Sequence, residues 1–191
     1  MDWPTVLIVP GLRDAVATHW QTLLEDRLRA QGRPVVAVPP MGREDLDCAH
    51  KVAAIEQAAR AVDGPIVIVA HSGGCIMVAH WARQTQRQVQ GALLATPPAF
   101  EAPLPDGYPT LDALRAGGWL PVPRARLPFP SIVAASQDDP LADYDRVAML
   151  ARAWGSRLLD LGSVGHLNPA SGYGEWRQAE TLIEDLSALS R

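Results

Sequence analysis

The sequence predicts an α/β protein, a three-layer α/β/α sandwich on a mostly parallel sheet of about six strands. Three observations carry this. Short β-branched apolar runs recur along the chain, and four are nearly continuous in apolar residues, as strands covered on both faces require. Longer stretches with helical spacing separate them. Strand and helix alternate at the rhythm of right-handed βαβ crossovers.

The first run, residues 6–9, ends at Pro10-Gly11, and the second is 35–38. Leu46, Ala49, Val52, Ala53, Ile55, Ala59 and Val62 then fall on one helical stripe. The third run, 66–69, leads into a helical pattern of Cys75, Ile76, Val78, Ala79 and Ala82. The fourth is 92–95. The fifth, 131–135, precedes a stripe of Val147, Leu150, Ala151 and Trp154. The sixth, 157–161, precedes Ala179, Leu182, Ile183, Leu186 and Leu189.

One region breaks the rhythm. Nine of the 17 prolines lie between Pro97 and Pro130, so a long regular element is not expected there. A short helix fits 110–116. Phe100, Tyr108, Leu111, Leu114, Trp119 and Leu120 make the stretch too apolar for a linker. Residues 99–127 therefore read either as a lid-like insertion or as a loop packed on the surface.

The 191 residues suit one domain spanning 1–191, and 48% hydrophobic with 20% charged residues is the balance of a soluble globular chain. A net charge of −4, with scattered arginines and one lysine (Lys51), gives no footprint for nucleic acid or an anionic membrane. Two cysteines, Cys48 and Cys75, make neither a disulfide framework nor a zinc spacing. The N-terminal Met-Asp-Trp-Pro carries no basic leader, and no purely apolar run exceeds five residues. A reduced, cytoplasmic protein with no membrane partner is expected; the oligomeric state is left open.

Three motifs carry chemistry. Residues 66–74, Ile-Val-Ile-Val-Ala-His-Ser-Gly-Gly, run from a strand through a turn at Ser72 into a helix, the context of a nucleophile elbow. Ala70 and Gly74 supply the small residues that the tight turn needs, relaxing G-x-S-x-G to A-x-S-x-G. The plainer reading of Ser72 is a helix cap. The second motif, Ser136-Gln137-Asp138-Asp139-Pro140, puts an acidic pair at a strand's carboxyl end, where open α/β sheets build their sites. One aspartate of the pair fits a catalytic role and the other a cap for a helix starting near Pro140. The third is Gly162-Ser163-Val164-Gly165-His166, whose glycines suggest a loop able to swing the imidazole.

The chain order Ser72, Asp139, His166 is that of α/β-hydrolase triads. In that arrangement His166 takes the Ser72 proton and Asp139 orients the imidazole. The oxyanion hole then requires two backbone N–H donors, for which Gly73 and Leu12 are the candidates.

On these residues the chain resembles the small α/β-hydrolase-fold serine hydrolases that include retinoblastoma-binding protein 9. The resemblance rests on Ile8-Val9-Pro10-Gly11-Leu12, Thr18-His19-Trp20-Gln21, 70–74, 136–140, and Gly165-His166 with Asn168, Ser171-Gly172 and Trp176. It covers nearly the whole chain. It implies that the acid is the aspartate directly before the proline, Asp139. It also implies a compact core and physiological substrates that are poorly defined.

His19 and Trp20 are further candidates to line the site, as are Tyr108 and Trp119 from the Pro-rich stretch. His71 is expected to pack against loop residues, and Cys75 in the core. His50 and His80 have no acidic or histidine partner at metal spacing, so no metal is expected, and no phosphate loop or cofactor motif is present. The leading function is a serine hydrolase, carboxylesterase-like, cleaving a small ester, thioester or amide. A cofactor-free perhydrolase is a variant of it. The alternative class is a non-catalytic binding protein on a hydrolase scaffold, which a fluorophosphonate probe would leave unlabelled. An elbow serine disfavours a dehalogenase, which needs aspartate there.

Overall fold

The computed structural model describes residues 3–13, 16–39, 41–42 and 44–188. Met1, Asp2 and Leu189, which entered the sequence reading, lie outside them. Six strands form one sheet: β1 (Thr5–Val9), β2 (Val35–Ala37), β3 (Ile66–His71), β4 (Val89–Ala95), β5 (Ser131–Ala135) and β6 (Arg157–Asp160). Every pairing is parallel, in the order β2-β1-β3-β4-β5-β6. All five residues of β5 and all six of β3 are buried, as strands covered on both faces must be. The edge strand β6 is mostly exposed.

Six α-helices are described: α1 (Trp20–Ala30), α2 (Cys48–Arg60), α3 (Gly73–Trp81), α4 (Leu111–Ala116), α5 (Tyr144–Trp154) and α6 (Gln178–Ala188), with a 3₁₀ turn at Pro169–Ser171. Helices α1 and α6 cover one face through Trp20, Leu24, Leu28, Leu182, Ile183 and Leu186. Helices α2, α3 and α5 cover the other, with Ile55, Ile76 and Trp154 among the buried residues. The strand order reverses between β1 and β3. In open α/β sheets the carboxyl edge at such a switch point is where sites are built. Among the described residues no helix is long and apolar enough to cross a membrane.

Several expectations shift. In α2, Ala49 and Ala53 face solvent, while Cys48 and Lys51 are buried. The buried face is therefore rotated from the alanine-based stripe. Strand β4 starts at Val89 rather than residue 92. Its Gly91 hides the pattern because a Cβ there would sit 2.8 Å from Leu186 Cδ2, so α6 packs directly on the strand. Helix α5 begins at Tyr144 with Asp143 at the N-cap position, not near Pro140.

The Pro-rich stretch is integrated with the core. Phe100, Leu114, Trp119, Val122, Leu127 and Phe129 join the buried cluster on the α2/α3/α5 face. Its polar anchors include Cys48 N–H on Gly117 O (2.9 Å), Leu127 N–H on Trp154 O (3.0 Å) and Trp154 Nε1–H on Pro123 O (2.8 Å). Helix α4 within it is capped by Thr110, whose hydroxyl accepts the Ala113 N–H.

Candidate active site

Ser72 follows the last residue of β3 and precedes the first of α3. Its backbone is at φ 55°, ψ −129°, a conformation that an L-residue holds only when its surroundings impose it. The imposition is visible on both sides. The Ser72 N–H donates to Ala95 O at 2.9 Å, and the Cys75 N–H donates to Ser72 O at 2.9 Å. The hydroxyl makes no cap bond to α3. Instead Ser72 Oγ lies 2.7 Å from His166 Nε2.

His166 Nδ1 lies 2.9 and 3.0 Å from the two oxygens of Asp139. Both side chains are almost fully buried, 4% and 2% exposed, so water does not compete for the pair. Asp139 Oδ1 also accepts the Leu141 N–H at 2.9 Å. Since the carboxylate can only accept, Nδ1 carries the proton and Nε2 is left to accept from Ser72.

The loop carrying His166 is fixed rather than free to swing. Gly165 N–H donates to Asp138 Oδ1 (2.7 Å), Val164 N–H to Ser136 Oγ (3.2 Å) and Gln137 N–H to Gly162 O (2.8 Å). The His166 N–H donates to Ser171 Oγ at 3.0 Å, and Ser171 Oγ–H donates to Asn168 Oδ1 at 2.8 Å. Gly165 sits at φ 57°, and a Cβ there would lie 2.5 Å from Ser171 Oγ, so this position requires glycine. The two aspartates therefore divide the work between imidazole and backbone. The Gly165 N–H, then the Ser136 hydroxyl, hold the Asp138 carboxyl below its ordinary range.

The loop after β1 lies against the first turn of α3. A Cβ on Gly11 would be 3.3 Å from Ser72 Cβ, and one on Gly73 would be 2.8 Å from Leu12 Cγ and 3.4 Å from Leu12 N. One on Gly74 would strike Pro10 O at 2.6 Å and Val9 O at 2.7 Å. Three glycines thus let two backbones approach beside the serine hydroxyl, bringing the Leu12 and Gly73 main chains together there. Outside this contact, Arg13 donates to Gly107 O at 2.6 Å and stacks over the Tyr108 ring at 4.5 Å, joining the loop to the Pro-rich segment.

The other pocket candidates separate. His19 is 9% exposed, and its Nδ1 accepts the Gln21 N–H as the cap of α1. Burial, then the nearby His166, pushes its pKa down to about 4. Tyr108 is half-buried beneath the Arg13 guanidinium. Trp20 and Trp119 are core residues instead. Trp20 is 1% exposed and packs edge-on against Trp176, with ring centroids 4.9 Å apart. Trp119 is fully buried, donates through Nε1 to Leu46 O at 2.8 Å and packs on Phe100. Neither presents surface to a ligand.

Cys75 is fully buried and burial pushes its thiol well up, so it is no competing nucleophile. His50 does have an acidic neighbour, Asp45 Oδ2 at 2.5 Å, as a surface hydrogen bond from an exposed imidazole. Among the described residues no three His, Cys, Asp or Glu side chains gather as a metal site. Sequence reasoning missed three braces on the His166 loop, Ser136, Ser171 and the clamp role of Asp138, while His71 packs against that loop as expected. The bonds from Asp138 and Ser136 to that loop span 27 and 28 residues, with no local signature to reveal them.

This architecture and edge geometry define an α/β hydrolase. A model of the serine hydrolase family matches residues 6–185, and the chain belongs to that family. No curated protein matches it. Among solved structures it is similar to a protein described as a YdeN-like hydrolase from Pectobacterium atrosepticum. The two share 26% identity over 98% of this chain and 92% of that one, with a TM-score of 0.81. The ydeN gene product of B. subtilis superposes with a TM-score of 0.74 at 18% identity, covering 96% of this chain and 98% of that one. Est1E from Butyrivibrio proteoclasticus, solved with ferulic acid, gives 0.71 at 13% identity over 98% and 88%. These last two share the fold. The family makes the protein a hydrolase.

Proposed function

We propose that this serine hydrolase cleaves small carboxylic esters through an acyl-enzyme on Ser72, with His166 as base and Asp139 as its orienting acid. The observation that carries this is the unbroken line Ser72 Oγ, His166 Nε2, His166 Nδ1, Asp139, with each step within 3.0 Å. As Ser72 Oγ attacks the acyl carbon, its proton passes to His166 Nε2. Asp139 stabilises the resulting imidazolium and keeps Nε2 aimed at the hydroxyl. The carbonyl oxygen gains negative charge, and the N–H groups of Leu12 and Gly73 are the donors assigned to it. Collapse expels the alcohol, which takes the proton from His166. A water then repeats the sequence on the acyl-enzyme and frees the acid.

The strained Ser72 backbone supports this reading, since strain of this kind concentrates at functional sites. One α/β unit suffices for the chemistry, with residues 99–127 packed against the α2/α3/α5 face. Two unpaired, buried cysteines suit a reducing cytoplasm. The test is labelling with a fluorophosphonate. Ser72 should carry the adduct, and a folded Ser72→Ala protein should neither label nor hydrolyse p-nitrophenyl acetate. Normal turnover in that variant would overturn the mechanism.

A further inference from the structure

The residue before Ser72 is packed against the loop that carries His166. His71 ends β3 and is 5% exposed. Its Nε2–H donates to the main-chain carbonyl of His166 at 2.9 Å. A carbonyl only accepts, so the His71 proton sits on Nε2. The two rings lie 5.0 Å apart, tilted by 49°. His19, at 4.7 Å, and the edge of Trp20, at 5.9 Å, also pack against His71, and Trp20 is in turn braced by Trp176. The titratable groups facing His71 are therefore His19, from the segment before α1, and His166, which is paired with Asp139. Burial, then His166, then His19, lowers the basicity of His71 well below the ordinary value, so the ring stays neutral.

We propose that His71 is a positioning residue that sets the distance between nucleophile and base by holding the His166 carbonyl from the strand that carries Ser72. This rests on the reading of Ser72, His166 and Asp139 as the reacting set. Ser72 and His71 are consecutive, so one peptide unit of a rigid, buried strand end holds the serine and grips the backbone of its base. Without that grip, the Ser72–His166 spacing would depend on loops reaching across from β5 and β6. His71 touches no reacting atom. Its loss should therefore slow chemistry without weakening substrate binding, since a displacement of the order of 1 Å at a reacting pair costs about 10²-fold.

The test compares His71→Phe, which keeps a ring and loses the donor, with His71→Gln, whose amide N–H reaches the position of Nε2. For p-nitrophenyl acetate, His71→Phe should lower kcat about 10- to 100-fold with KM little changed. It should also broaden or shift the low-field Nδ1 proton resonance of His166. His71→Gln should restore most of kcat and the resonance. Should His71→Phe not fold, His71→Asn takes its place, its amide being too short to reach. A donor-less variant with wild-type kcat, or a glutamine variant as slow as the donor-less one, overturns the proposal. Fluorophosphonate labelling of the wild type runs alongside. If Ser72 does not label, both this proposal and the reading beneath it fail; if it labels, only the role of His71 is at stake.

Discussion

Asp138 and Gly165 are joined by a 2.7 Å hydrogen bond from the glycine N–H to Asp138 Oδ1, one residue short of the imidazole that Asp139 engages. Two adjacent carboxylates thus fix one histidine, one through the backbone of the glycine before it and one through its ring.

The two should separate on mutation. Asp139→Asn presents a donor where Nδ1–H needs an acceptor, favouring the wrong tautomer, and should lower kcat by about 10⁴-fold. Asp138→Asn keeps an oxygen for Gly165 N–H and should stay within about tenfold of wild type. Asp138→Ala removes that oxygen, leaves the Gly165 N–H unpaired and should cost more. Steady-state kinetics on the three variants decide the matter. A larger loss in Asp138→Asn than in Asp139→Asn would reassign the acid.

The adjacent glycines of α3 should also behave differently. A methyl on Gly74 meets two backbone carbonyl oxygens that cannot move without disrupting β1, so Gly74→Ala should destabilise the fold by about 1–3 kcal/mol. A methyl on Gly73 meets mainly the Leu12 side chain, which can shift and displace the loop with it. Gly73→Ala should therefore fold with a near-normal denaturation midpoint and acylate slowly. Urea titration and fluorophosphonate labelling rates distinguish the two effects. Equal destabilisation of both would refute the distinction.

Much of this site was legible in the chain, and the illegible part has a common cause. The strands announced themselves because both faces of the central sheet are covered, leaving continuous apolar runs at 66–69 and 131–135. Ser72 was visible because its turn admits only small neighbours. Trp119 misled because residue type speaks for average environments, and this tryptophan fills the core. Ser136 and Ser171 were invisible as braces, and of His71 only its packing against loop residues was legible, because the bracing is done by isolated hydrogen bonds to a loop. No periodicity or spacing encodes such a bond.

Acid should destabilise the protein before its carboxylates titrate. His19 has an unfolded value near 6.5 and a folded one of about 4, so the unfolded chain binds more protons between them. The stability from keeping His19 neutral is present in full above the unfolded value and is lost as pH falls toward the folded one. His71 and His80 are lowered in the same direction by burial. The depressed carboxyls of Asp45, Asp138 and Glu175 lose their contribution only at lower pH, beneath their ordinary values of 3.8 to 4.5. Urea midpoints should thus fall between about pH 7 and about pH 5. The fall should be shallower in His19→Asn, which keeps a cap for α1 without a titrating ring. Identical slopes would remove His19 from the account.

The active site should favour short acyl groups. An acyl chain gains roughly 0.8 kcal/mol per methylene only where it is buried. The stretch most able to bury it is the Pro-rich one, and its largest apolar groups are already committed. Leu114 and Trp119 are fully buried in the core and Phe100 is 2% exposed, so none can turn toward a substrate without opening the α2/α3 face. Tyr108 is half-buried beneath the Arg13 guanidinium, which occupies one face of its ring. A segment of about thirty residues is too short to form a separate cap domain, so no second layer of apolar contacts lies above. Methylenes beyond the first few would extend into water and gain nothing. Across a p-nitrophenyl ester series, kcat/KM should rise from acetyl to butyryl and then level or fall. Arg13→Ala, which frees Tyr108, should alter the profile at the short end only. A steady climb to decanoyl would reveal a buried acyl channel and overturn this account.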